Sequence, residues 1–285
     1  MTDLLKVENL RVGFNGPRGQ HEAVRGISFS LRAGEKLGIV GESGSGKSQT
    51  ARALLQITAR GGHVSASRMS FDGIDLIRAD ERQMQTIRGR RISMILQDPK
   101  FSLNPLKRVG EQIAETWRLH HPNAREQARQ RSLAMLEAVQ IREPQRVYEL
   151  YPHQVSGGMG QRIMIAMMLI TEPQLIIADE PTSALDVTVR RQFLSVLDEL
   201  LARQGSSLLL ISHDLDLVAG FCDRILVMYA GRIVERLAAR DLHLARHPYT
   251  RALLASRPDL HSPQDWLTVP QRTPDWSRPL EEFDA

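Results

Sequence analysis

The stretch Gly41-Glu-Ser-Gly-Ser-Gly-Lys47-Ser48 constrains this chain more than any other part of it. It fits the pattern G-x-x-x-x-G-K-[ST]. Before it runs an apolar segment, Lys36 to Val40, that reads as a buried strand, and after it Gln49 to Leu55 reads as a helix. Strand, glycine-rich loop and helix in that order make a phosphate cradle. Gly41, Gly44 and Gly46 permit backbone angles that a Cβ forbids. Successive N–H groups can then converge on phosphate oxygens, helped by the partial positive charge of the helix N-terminus. Lys47 is placed for the β- and γ-phosphates and Ser48 for Mg²⁺. Glu42, Ser43, Ser45 and Gln49 complete the nucleotide-binding stretch.

A chain of 285 residues can bury one large core or two small ones. With 42% hydrophobic and 25% charged residues it has the ordinary composition of a soluble globular protein, and its net charge of +4 is a mild excess. Its densest basic spot, Arg88-Gly-Arg90-Arg91, reads as a solvated face, with nucleic acid or lipid headgroups as minor options. One cysteine, Cys222, excludes an internal disulfide and a cysteine-cluster metal site. The N-terminal residues lack a signal-peptide layout. The longest apolar run, Ile163 to Ile170, is far short of the roughly 20 residues that span a bilayer. Any membrane role therefore needs a partner.

Strands are expected at Leu4–Phe14, Ala23–Leu31, Lys36–Val40, Arg68–Phe71 and Ile92–Leu96, with a turn at Gly16–Gly19. From Asp98 to Ile170 the pattern turns helical, with periodicity over Val109–Leu119, Ala124–Val139 and Gly157–Ile170. Strand and helix then alternate again: Leu175–Ala178, Val187–Gln204, Ser207–Ile211, Asp216–Phe221 and Ile225–Tyr229, with Gly231–Arg236 pairing back onto the last strand. Alternation of this kind predicts an α/β fold around a parallel sheet, interrupted by a helical block. Prolines at 258, 263, 270, 274 and 279 exclude regular structure from the C-terminal stretch, which reads as an extended docking tail or as disordered.

Other candidate residues fall at strand and helix ends. Leu175-Ile-Ile-Ala-Asp179-Glu180 is an apolar strand ending in two acids, where a parallel sheet presents its site. Asp179 is suited to Mg²⁺, and Glu180 to polarising an attacking water. His213 and Gln97 also end strands, one suited to the γ-phosphate and the other to Mg²⁺ or the water. Ser156, Gly157 and Gly158 open the apolar helix, either as a second anion site or with Ser156 as a plain N-cap.

Taken together, these residues resemble the ATP-binding subunit of an ABC transporter. The resemblance covers residues 4 to 236: Walker A (Gly41–Ser48), Q-loop (Gln97), signature (Ser156 to Gln161), Walker B (Leu175–Glu180), D-loop (Ser183 to Asp186) and H-loop (His213), in family order. The aromatic that stacks on adenine falls on Phe14, with Gly16–Gln20 reading as an insertion. The resemblance implies a P-loop ATPase core with a mixed sheet and an antiparallel β subdomain (1–97 with 172–238). It further implies an inserted helical subdomain (98–171) and a C-terminal extension (239–285). It assigns ATP and Mg²⁺ as cofactors, Glu180, His213 and Gln97 to catalysis, Ser48, Gln97 and Asp179 to Mg²⁺, and Ser156, Gly157, Gly158, Gln161 and Asp186 to nucleotide.

Finer stretches resemble the peptide/nickel importer branch: Gln97-Asp-Pro with Ser102-Leu-Asn-Pro105, Met228 to Glu235, and His247-Pro-Tyr-Thr-Arg-Ala-Leu253. That branch implies a second ATPase subunit (hetero- or homodimer), two membrane permease subunits and an extracytoplasmic binding protein. The site of action is then the cytoplasmic face of the cell membrane, with no nucleic acid involved. Peptides, nickel or a metal–chelator complex are the implied cargo, and the cysteine-free tail tilts the choice toward metal. Val155 and Gly160 depart from the usual signature, and Gly160 lowers helix propensity by roughly 1 kcal/mol relative to Ala. His243 and His247 read as structural. The rival readings are a soluble ABC-type ATPase acting on nucleic acid or ribosomes, and a non-catalytic ATP binder. A single phosphate loop and the pair Glu180 and His213 weigh against them.

Overall fold

The computed structural model describes residues 3–16, 19–95, 103–183, 185–256 and 273–280. Gln97 and the Q-loop around it lie outside these residues, as do Ser102 and the middle of the expected turn at 16–19. Two compact units emerge: residues 1–31, 36–78 and 210–285 form one, residues 32–35 and 79–209 the other.

The first unit opens with two long strands, β1 (Asp3–Gly16) and β2 (Gly19–Arg32). Leu5, Val7, Leu10 and Val12 of β1 are buried, the period-2 signature of a half-buried strand. β3 (Lys36–Val40) follows, then helix α1 (Lys47–Leu54). β4 (Gly62–Ser65), β5 (Arg68–Phe71) and β6 (Ile74–Asp75) complete an antiparallel sheet in the order β2-β1-β5-β6, with β4 also on β1. Val12 faces Val64 and Val7 faces Met69 in the two registers.

The second unit holds α2 (Glu81–Ile87), which the sequence reading passed over. Asp80 and Gln83 close a capping box on it: the Asp80 carboxylate accepts from Gln83 N at 2.8 Å, and Gln83 Oε1 from Asp80 N at 3.1 Å. β7 (Ile92–Ile95) comes next, then α3 (Val109–His120), α4 (Ala128–Ala138), α5 (Pro144–Glu149) and α6 (Gly157–Leu169), which pack on one another. The expected helix at 124–139 starts at 128 instead. Pro122 opens a 3₁₀ segment in which Ala124 is non-helical (φ −132°), and Trp117 Nε1–H donates to the Ala124 carbonyl at 2.9 Å. The block closes tightly where Gly110 meets Tyr148: a Cβ at Gly110 would come within 2.0 Å of the ring.

β8 (Leu175–Asp179) pairs parallel with β7, and all five of its residues are buried. α7 (Val187–Gln204) matches the sequence expectation residue for residue, because both ends are marked. Asp186 caps it through Thr188 N and Val189 N at 3.0 and 2.9 Å, and Gly205 leaves it at φ 67°. The chain passes back to the first unit within β9 (Ser207–Ser212).

In the returning stretch, α8 (Leu215–Phe221) packs Val218 against Gly38 of β3. Beside it Cys222 is buried, and its thiol pKa is pushed up to about 12 by burial, which leaves it a hydrophobic filler. β10 (Arg224–Tyr229) runs parallel to β3 and antiparallel to β11 (Arg232–Ala238), so the sheet of this unit is mixed, as expected.

α9 (Pro248–Ala255) ends the regular structure. The proline-rich end differs from its reading: Pro274–Ser277 forms a 3₁₀ turn that buries Trp276 to 6% exposure. His247 ties the two together. Its Nδ1 accepts from Tyr249 N at 3.1 Å and its Nε2–H donates to the Arg278 carbonyl at 2.9 Å. This pattern requires neutral imidazole. Burial holds the His247 pKa below its ordinary 6.5, against the pull of the Arg278 carbonyl and the Glu235 carboxylate. Between the folded pKa and 6.5 the unfolded chain binds more protons, so this contribution to stability is whole above about pH 6.5 and is lost as pH falls. Thermal unfolding is expected to show a lower Tm at pH 5.5 than at pH 7.5, and His247→Asn, which keeps an N-cap, a shallower drop.

Candidate active site

The phosphate loop is held by close contacts at Gly41 and Gly46, either side of its exposed tip at Ser43 and Gly44. Gly46 has φ 102°, and a Cβ there would sit 2.4 Å from the Ala23 carbonyl. Gly41 has φ 153° with the Met228 carbonyl 2.1 Å from any Cβ. Only glycine meets both demands. Within the loop, Ser45 N donates to Glu42 O at 3.2 Å, and Thr50 N to Gly46 O at 2.9 Å starts α1.

Lys47 is 4% exposed and turns back over the loop, its ammonium donating to Gly41 O at 2.8 Å and Glu42 O at 2.9 Å. Ser45 Oγ and Gln49 Oε1 are buried with no hydrogen-bond partner among the described residues. A buried polar atom left so carries an unmet demand, and a phosphorylated ligand at this loop is the kind of group that meets it. The donor set, with its lysine, hydroxyls and loop amides, fits a triphosphate.

Phe14 ends the β1–β4 register opposite Gly62 and is half-exposed. A Cβ at Gly62 would come 2.9 Å from Phe14 Cε1, so the glycine leaves the ring its place. His213 is exposed one residue beyond β9, where Asp214 N donates to Ser212 Oγ at 3.0 Å.

In the second unit, Asp179 ends β8 at 6% exposure. Glu180 follows with φ 48°, a left-handed backbone rare outside glycine, asparagine and aspartate, and its carbonyl accepts from Ser183 N at 3.3 Å. Backbone strain of this kind persists only where the surrounding structure holds it, and such residues cluster at functional sites. Ser156 caps α6, its Oγ accepting from Met159 N at 3.3 Å, with Gly157 exposed and Gly158 half-exposed in the first turn. Gln161 is 3% exposed, and its Oε1 has no hydrogen-bond partner among the described residues. A Cβ at Gly160 would meet nothing within 4 Å, so space does not demand that glycine. The carboxylate of Asp186 serves α7 as its cap.

A sequence profile described as "ABC transporter" matches residues 24–183, more than half of the chain. The chain belongs to the ABC transporter family. It is 48% identical over 277 residues to the oligopeptide transport ATP-binding protein OppD of Salmonella typhimurium, covering 96% of this chain and 82% of that one. With the glutathione import ATP-binding protein GsiA of Escherichia coli O1:K1 / APEC it shares 46% identity over 279 residues, 95% of this chain and 45% of that one. Among solved structures, the dimeric ATP-binding cassette MJ0796 bound to ADP and Pi superimposes with a TM-score of 0.73 at 26% identity, over 83% of this chain and 99% of that one. The chain is thus an ATP-binding, ATP-hydrolysing ABC transporter subunit of the peptide-importer branch. Sequence reasoning missed one residue at the loop, Tyr249, whose hydroxyl accepts from Glu42 N at 2.9 Å.

Proposed function

We propose that this subunit powers uptake of peptides, working at the cytoplasmic face of the membrane beside two permease subunits. The observation that carries the ATP-driven part of the reading is the Gly41–Ser48 cradle with its inturned Lys47 and the Ser45 and Gln49 oxygens that lack a hydrogen-bond partner among the described residues. The relatives described above are named for oligopeptide and glutathione transport, which favours peptide over nickel or a metal–chelator cargo.

In this reading two ATPase subunits close head-to-tail, the phosphate loop of one facing the signature helix of its partner. Residues 98–171 act as the helical subdomain that carries the signature, between core segments 1–97 and 172–238, and 239–285 is the extension. Phe14 stacks on adenine. Gly41 to Gln49 hold the phosphates, while Ser156, Gly157, Gly158, Gln161 and Asp186 complete the partner's site. Mg²⁺, held by Ser48, Asp179 and Gln97, would supply positive charge against the phosphates.

The chemistry needs a base and an anion contact. Glu180 takes a proton from water as the water oxygen bonds to the γ-phosphorus and the β–γ bridging oxygen leaves with ADP. His213 steadies the γ-phosphate. The subunit co-purified with its permeases and reconstituted in liposomes should raise its ATPase rate several-fold when a peptide-loaded binding protein is added, and accumulate labelled peptide. Stimulation by nickel in place of peptide would overturn the cargo, and turnover indifferent to the permeases would overturn the transport role.

A further inference from the structure

The phosphate loop is gripped from outside at two points that flank its apex, and both lead to the C-terminal segment. At one, Tyr249 Oη accepts from Glu42 N at 2.9 Å. At the other, Gly231 N donates to Ser45 O at 3.0 Å, with Arg25 N closing onto Gly231 O at 2.7 Å. Tyr249 is 1% exposed and cannot relax toward water. Its ring lies 4.6 Å from Tyr229, the last residue of β10, and 5.4 Å from Trp276; Trp276 meets Tyr229 edge-on at 5.7 Å. Two residues after Tyr229 comes Gly231. The three rings therefore stand behind both grips.

The segment 273–280 is fixed to this cluster twice, by burial of Trp276 and by the Arg278 carbonyl on His247 Nε2–H. His247 in turn holds the first turn of α9, from which Tyr249 projects, and its own N–H donates to Glu235 Oε1 at 3.2 Å.

We propose that residues 273–280, acting through Tyr249, are a positioning element for the phosphate loop: Trp276 sets the Tyr249 ring, and the Tyr249 hydroxyl sets the loop at Glu42. The hydroxyl meets the backbone N–H of Glu42, so its effect falls on how well the loop is preformed. Such support acts alike on bound substrate and transition state, and its loss raises KM while maximal turnover holds.

Full-length variants titrated with Mg-ATP, with KM and kcat read separately and folding followed by Tm, test this. Tyr249→Phe keeps the packed ring and is expected to weaken ATP affinity about five- to tenfold, with kcat within twofold of the parent. Trp276→Ala is expected to weaken it similarly, and Trp276→Phe to restore most of it. Because Trp276 acts through Tyr249, the double variant should be weaker than Trp276→Ala by less than the full Tyr249→Phe factor. Unchanged ATP affinity in Tyr249→Phe overturns the proposal, as does a Trp276→Ala variant that loses Tm but keeps its KM, or full additivity of the two.

Discussion

Glu180→Gln is expected to leave ATP bound and unhydrolysed, with steady-state turnover down by about 10²- to 10⁴-fold. The substitution keeps volume and hydrogen-bonding reach and removes only the proton acceptor. Glutamine pays the same backbone strain at φ 48°, so the turn that Ser183 N closes on Glu180 O is retained. Asp179, buried at the end of β8, is untouched. Phosphate release and retained labelled ATP, measured on one preparation, separate chemistry from binding. Parental turnover in this variant would remove Glu180 from the role of base.

Gly46→Ala is expected to weaken ATP binding at least 100-fold. The new methyl would lie 2.4 Å from a backbone oxygen, that of Ala23, and 3.3 Å from Met228 Cε, at φ 102°. Side chains can give way, but a strand carbonyl cannot without moving β2. The loop moves instead, and with it the start of α1 and Lys47. Gly44→Ala is the control: its φ is 81°, but a Cβ there meets nothing within 4 Å. It carries backbone strain of order 1–2 kcal/mol and no clash, so its affinity should fall by roughly tenfold or less. Isothermal titration of both variants with ATP reads the difference, and equal losses would mean that conformation rather than collision sets the loop.

The parts of this molecule legible in its sequence are those whose causes are local. The phosphate loop is eight consecutive residues between a strand and a helix, and β3 and α1 follow from it. α7 was legible to the residue because Asp186 and Gly205 mark its ends chemically. α2 carries an equally local mark, the Asp80/Gln83 pair at its start, but is too short for periodicity to signal it. The late start of α4 is different in kind: Trp117 captures the Ala124 carbonyl through a packing contact that periodicity does not encode. The grip of Tyr249 on Glu42 joins residues 207 positions apart, and burial of Trp276 joins it to Tyr229 across a proline-rich stretch. Pattern reasoning reads residues 273–280 as loose because the residues they pack on are nowhere near in the chain.

Lys47 carries a consequence of its own. Its ammonium donates to Gly41 O and Glu42 O. In the reading proposed above, a phosphate that takes this ammonium does so in exchange for those carbonyls, so only the difference between the two sets of bonds contributes to affinity. A change that removed the lysine's contacts with Gly41 O and Glu42 O, leaving all else in place, is then expected to tighten its hold on a triphosphate.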